Sequence, residues 1–77
     1  MDRATLEEYL AKAEEYISSA VRMIERQTVV VARLKENGRP TKDAQELLER
    51  FERSCQSMRA DRDLIQGLLR RADGMLN

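Results

Sequence analysis

A seven-residue repeat of apolar side chains runs through two segments of this chain, from Leu6 to Leu34 and from Ala44 to Leu76. Within each segment the apolar residues recur at alternating spacings of three and four, which keeps them on one side of an α-helix. At heptad positions a and d, 17 of 19 residues are apolar, whereas a composition that is 42% apolar would place about eight there by chance. The sequence therefore predicts two long amphipathic helices that pack along a narrow seam.

The seam contains two polar residues, Gln27 and Arg62. A polar group in such a seam penalises wrong pairings, so we interpret both as residues that set the register of the helices. The predicted seam consists of Leu6, Leu10, Ala13, Ile17, Ala20, Ile24, Gln27, Val31 and Leu34 in the first helix, and of Ala44, Leu48, Phe51, Cys55, Met58, Arg62, Ile65, Leu69, Ala72 and Leu76 in the second.

A short break separates the two segments. Asn37 and Gly38 are suited to a left-handed cap at the end of the first helix, and Pro40 prevents the helix from continuing. Thr41 is a good cap for the second helix. We therefore predict a single all-α domain over residues 1–77, with a helix over about 3–37, a turn at 38–40 and a helix over about 41–75.

Two residues compete to cap the start of the first helix. Thr5 and Glu8 have the spacing of a capping box, in which each side chain bonds to the backbone of the other residue. Asp2 is an alternative cap, one turn earlier in the chain.

The distribution of charge indicates that the helices fold back on each other. Residues 1–20 carry two basic and five acidic side chains, whereas residues 53–71 carry five basic and two acidic ones. Residues 22–39 carry five basic and two acidic side chains, and residues 42–52 carry two basic and four acidic ones. An antiparallel two-helix coiled-coil hairpin places these unlike charges side by side, although exposed pairs contribute little individually.

Two registers fit an antiparallel hairpin with a short turn, because the numbers of paired residues can sum to about 75 or about 82. We favour 82, since it alternates large with small side chains, as close packing requires. It sets Ala20 opposite Arg62, and it places Gln27 beside Cys55.

A second apolar row lies at heptad position g, and we call its nine residues the g row. Seven of the nine are apolar, which is typical of helices with more than one neighbour. We therefore predict that the apolar members form an interface and that two hairpins form a four-helix bundle. The g row consists of Tyr9, Tyr16, Met23, Val30, Leu47, Ser54, Asp61, Leu68 and Met75.

Three side chains in these rows have an alternative interpretation. We interpret Tyr9 and Tyr16 as interface residues, with a stacking platform for nucleic acid as the alternative. We interpret Cys55 as a small buried apolar residue, with an intermolecular disulfide or a sensing thiol as the alternative.

The sequence carries no recognisable catalytic constellation. It has no histidine, a single cysteine and no glycine-rich phosphate loop. We therefore predict that the protein is not an enzyme and that it binds no cofactor and no metal. The chain has no net charge and no apolar run of about eighteen residues, and it begins without a secretory signal. From these features we expect a cytoplasmic protein with no membrane partner, and nucleic acid is a weak candidate.

The stretch from Ala13 to Ile65 resembles a group of short, functionally uncharacterised helical-hairpin proteins of bacteria. The resemblance implies a bacterial cytoplasmic protein of unknown role. The matching elements are Arg26-Gln27, Val31, Leu34, Gly38, Thr41, Ala44, Leu47-Leu48, Phe51 and Ala60-Asp61-Arg62-Asp63.

The sequence therefore leaves three candidate functions. The first is a small structural or interaction protein that self-associates as a homodimer through its apolar face. The second is an adaptor or inhibitor that docks its hairpin onto a helical partner protein. The third is an accessory protein that binds nucleic acid.

Overall fold

The computed structural model describes residues 2–76, with side chains as far as Gly74. Helix α1 spans Arg3–Glu36 and helix α2 spans Lys42–Leu76, and the described chain contains no strand. The two helices pack against each other in an antiparallel hairpin that measures 61 × 15 × 14 Å between its outermost Cα atoms. The prediction of an all-α helical hairpin is confirmed.

Helix α1 is capped by Asp2. Its backbone is extended, with φ −80° and ψ 166°, and its carboxylate accepts a hydrogen bond from the backbone N–H of Thr5 at 2.8 Å. The prediction of a capping box at Thr5 is wrong, and the alternative at Asp2 is confirmed. Because α1 begins at Arg3, Thr5 lies within the first turn, and its own N–H is one of the donors that the cap has to satisfy.

Helix α1 ends in a Schellman motif, as the Asn37-Gly38 pair predicts. Gly38 has φ +66°, in the left-handed region that favours glycine. Its N–H donates to the carbonyl of Lys35 at 3.1 Å, and the N–H of Arg39 donates to the carbonyl of Leu34 at 2.8 Å. These two bonds close the helix end and reverse the chain within a few residues.

The predicted seam is the packed layer between the helices. Every seam residue whose side chain is described is buried or half-buried. Leu6, Ile17, Ala20 and Cys55 are buried, and Cys55 is only 2% exposed. The side chain of Leu76 lies outside the described part of the chain.

The preferred register, with a sum of 82, is wrong. Ala20 forms a buried cluster with Cys55 and Ile17, and Met58 packs against this cluster. The numbers of Ala20 and Cys55 add to 75, as do those of Ile17 and Met58. The helices therefore adopt the other register, and Ala20 does not face Arg62.

The turn explains this register. Only five residues separate Glu36 from Lys42. In the register where paired residue numbers sum to 75, Leu34 and Thr41 pair in the seam layer next to this turn, and both side chains are half-buried. A sum of 82 would place Ala44 opposite the turn at Gly38, where no helix could cover it. Alternation of side-chain volume is a weaker constraint than the reach of a five-residue connection.

Disulfide formation tests this register. We expect Ala20→Cys to form an intramolecular disulfide with Cys55 under mild oxidation, because the two positions share one seam layer and a disulfide requires Cα atoms within about 7 Å. Gln27→Cys is the matched control, since position 27 would meet Cys55 only at a sum of 82. Mass spectrometry and thiol titration of the monomeric species measure the bond. A disulfide in the control but not in Ala20→Cys would contradict the observed register.

Acid should weaken the start of α1. The hydrogen bond from the Thr5 backbone N–H, with a smaller contribution from the Thr5 hydroxyl, holds the pKa of Asp2 below its usual value near 3.8. A lowered pKa means that the cap stabilises the helix above pH 3.8, and that this contribution is lost as the pH falls through the lowered pKa.

A pH titration of the Thr5 amide resonance by NMR measures this loss. Asp2→Asn is the control, because asparagine caps helices well but does not titrate. An equal acid transition of the Thr5 resonance in both proteins would show that another group is responsible.

Candidate interaction surface

The observed register places the g positions of both helices on one side of the hairpin. In an antiparallel pair, g positions face each other across the seam, and here their residue numbers sum to 77. Val30 therefore lies beside Leu47, and Met23 lies beside Ser54. Met23 and Ser54 line the same surface cleft, as this pairing requires.

The g row is largely exposed. Tyr16 is 60% exposed, and four further apolar members are between 42% and 47% exposed. Leu68 is half-buried, and the side chain of Met75 lies outside the described part of the chain. The five exposed members are Tyr9, Tyr16, Met23, Val30 and Leu47. The hairpin thus carries a row of large apolar side chains that it does not cover itself.

A cleft of about 300 Å³ opens near the middle of this row. Tyr16, Ser19, Ala20 and Met23 of α1 form one wall, and Phe51, Ser54 and Met58 of α2 form the other. The spacing of the α1 wall is i, i+3, i+4 and i+7, the set of four residues that surrounds an inserted side chain in a coiled coil. The α1 wall of the cleft therefore has the residue spacing of a coiled-coil hole.

The opposite side of the hairpin has a different composition. Its e positions are polar apart from Val21, which packs against the buried cluster around Cys55. These positions hold Glu7, Glu14, Val21, Thr28 and Lys35 in α1, and Gln45, Glu52, Arg59, Gln66 and Asp73 in α2. The hairpin is therefore apolar along one side and solvated along the other.

Two exposed apolar residues were not among the predicted interface residues. Leu64 is 59% exposed and lies at position c, which is adjacent to position g around a helix. It extends the g row between Asp61 and Leu68. Val29 is 48% exposed and lies farther from the row, at position f. Counting apolar residues at position c as well as at g would have found Leu64.

Gln27 and Arg62 are both half-buried in the seam, but Gln27 does not lie beside Cys55 and Arg62 does not face Ala20, because both of those pairings belong to the register with a sum of 82. The side-chain amide of Gln27 donates a hydrogen bond to the backbone carbonyl of Ala44 at 2.9 Å, which ties α1 to the first turn of α2. The guanidinium of Arg62 reaches out of the seam to the carboxylate of Asp63, with N–O distances of 3.1 and 3.2 Å. A separate ion pair between Arg3 and Asp73 joins the open ends of the helices.

Within residues 2–76, no three histidine, cysteine, aspartate or glutamate side chains lie close enough together to hold a metal ion. Neither helix, over its described length, combines the length and the apolar character needed to cross a membrane. Comparison with models of known protein families, with characterised proteins and with solved structures finds no match to this chain.

Replacement of Arg62 by leucine should stabilise the protein. The Arg62 side chain is 30% exposed and its partner Asp63 is 65% exposed, so the ion pair contributes little, whereas leucine would bury apolar surface in the seam. We expect Arg62→Leu to raise the free energy of unfolding by about 1 kcal/mol, with an increase of a few degrees in the melting temperature.

Thermal unfolding followed by circular dichroism measures this change. Asp63→Asn is the control, because it removes the ion pair and leaves Arg62 in the seam, and its melting temperature should stay close to that of the parent. A melting temperature of Arg62→Leu below that of the parent would show that the charge is required in the seam.

Proposed function

We propose that this protein is a small structural interaction module, and that two copies associate through the g row to form a four-helix bundle. The observation that carries the proposal is the contrast between the two sides of the hairpin, one a row of exposed apolar side chains and the other polar. A soluble monomer rarely exposes a contiguous apolar strip of this length.

The thin core supports the proposal. Only four apolar residues are buried among the described side chains, and most of the seam is half-buried. At 77 residues, a single core supplies only about 3–5 kcal/mol of stability, and oligomerisation is one way in which small chains enlarge it. A second hairpin on the g row would cover the open edge of the seam as well as the row itself.

The size of the face is sufficient for a stable dimer. A face of 61 by 15 Å has a projected area of about 900 Å², so two copies would bury about 1,800 Å², within the range of specific interfaces. The apolar composition of the row is typical of homodimers, whose interfaces are more apolar than those of transient complexes.

The charge pattern of α1 supports a second copy as the partner. Residues 1–20 carry a net charge of −3, and residues 22–39 carry a net charge of +3. A second α1 that runs antiparallel to the first would therefore place acidic halves beside basic halves. Such complementarity selects for this partner, although each exposed pair contributes little energy.

Sedimentation velocity at micromolar concentration tests the proposal directly. We expect a species of twice the chain mass of 8.9 kDa. A fully helical monomer over the same concentration range would contradict self-association. If such a monomer forms a stoichiometric complex with another protein of its host, the g row is the docking surface of an adaptor instead.

The double variant Tyr16→Glu/Met23→Glu should dissociate the dimer. Each carboxylate would be buried without a partner at the interface, at a cost of several kcal/mol. We expect a monomeric mass, a strong loss of helicity in dilute solution, and a melting temperature that no longer depends on protein concentration.

Ser18→Glu/Thr28→Glu is the matched control, because it adds the same two charges to exposed positions on the other side of α1. This control should keep the mass of the parent. If Tyr16→Glu/Met23→Glu also keeps the parent mass and melting temperature, Tyr16 and Met23 face solvent and the bundle has to be given up.

A further inference from the structure

We propose that the two hairpins pack in opposite directions, with α1 of one copy against α1 of the other. The two-fold axis passes between Tyr16 and Met23, and the two turns lie at opposite ends of the bundle. This arrangement rests on the proposed self-association, and it adds which helices meet and in what register.

Two-fold symmetry allows two ways of joining the g rows face to face. If both turns lie at the same end, α1 of one copy meets α2 of the other. If the turns lie at opposite ends, α1 meets α1 and α2 meets α2. Neighbouring helices are antiparallel in both bundles, so helix direction favours neither arrangement. The two bundles differ in which side chains meet across the interface, and these contacts decide which bundle is more stable.

The members of the g row in α1 are self-complementary. About an axis between Tyr16 and Met23, the numbers of facing residues in the two α1 helices sum to 39. Tyr16 then meets Met23 of the second copy, and Tyr9 meets Val30 of the second copy. All of these side chains are apolar and exposed in the hairpin, so every one of them gains an apolar partner.

The same two-fold axis also pairs the g residues of the two α2 helices. Because the g residues of the hairpin pair at a sum of 77, the facing residues of the two α2 helices sum to 115. Leu47 then meets Leu68 of the second copy, and Ser54 meets Asp61 of the second copy. The serine hydroxyl can donate a hydrogen bond to that carboxylate, so the two polar members of the row face each other.

The arrangement with both turns at one end pairs the same residues less well. It sets Tyr16 against Asp61 of the second copy and Met23 against Ser54 of the second copy. Half of the contacts along the row would then join an apolar side chain to a polar one. This arrangement buries the Asp61 carboxylate against a large aromatic side chain, where desolvation costs more.

The cleft lies at the part of α1 that is nearest to the proposed two-fold axis. Ser19 and Ala20, the smallest side chains of its α1 wall, are midway between Tyr16 and Met23. Small residues at this point let the backbones of two α1 helices approach each other closely. The larger side chains of the second copy can then enter the cleft on either side of the axis.

The distance between the two turns distinguishes the arrangements. A spin label at Arg39→Cys, in a Cys55→Ala background, lies about 19 residues from the axis, so at about 1.5 Å per residue the two labels should be about 55–60 Å apart. With both turns at one end they would be roughly 10–20 Å apart, because adjacent helices are about 10 Å apart. Double electron–electron resonance measures this distance.

A label at Ser18→Cys in the same background is the control. It lies close to the axis, so it should give a distance below about 30 Å in either arrangement, since a four-helix bundle is only about 20 Å across. The Cys55→Ala variant should show the same helicity as the parent protein by circular dichroism. If the alanine variant does not fold, Cys55→Val is used as the background instead.

The outcomes separate the two proposals. A distance near 55–60 Å at Arg39→Cys supports the reversed packing. A short distance at this position, with a dimeric mass, overturns the reversed packing and leaves self-association intact. No distance between copies at either position, with a monomeric mass, overturns self-association and the reversed packing together.

Discussion

Burial of the two heptad seams against each other, in the register that the turn permits, determines every other feature of this molecule. Schellman capping at Gly38 ends α1 and reverses the chain, and Leu34 and Thr41 then form the first layer. The surface follows from this register. A slip to a sum of 82 would bring Tyr16 beside Leu68 and Met23 beside Asp61, so the cleft that Met23 and Ser54 line together would not form.

Much of the fold could be predicted from the sequence because it depends on local signals. The heptad period identifies the seam, and the Asn37-Gly38 pair identifies the helix end, since both act within a few residues. The register depends instead on how far a five-residue connection can reach, which side-chain volumes alone do not reveal. Similarly, aspartate and threonine are both favoured N-cap residues, so residue type alone does not decide whether Asp2 or Thr5 caps α1.

The surface was predicted less completely than the fold. Six of the apolar residues at position g have described side chains, and five of these are exposed on one side of the hairpin. Leu64 was missed because it lies at position c, next to the row rather than in it. Position c faces solvent in a two-helix hairpin, so the exposure of Leu64 follows from the heptad, but a search for apolar residues at a, d and g does not include it.

The short turn also determines the order in which the hairpin can assemble with the least loss of chain entropy. Six residues separate Leu34 from Thr41, whereas sixty-two separate Leu6 from Leu69 at the open end. Closing the layer nearest the turn restricts the smallest loop, and each closed layer then brings the next pair into reach. A route that adds one neighbouring layer at a time therefore never requires the pairing of distant segments. The ion pair between Arg3 and Asp73 joins the helix ends farthest from the turn, which such a route would bring together last.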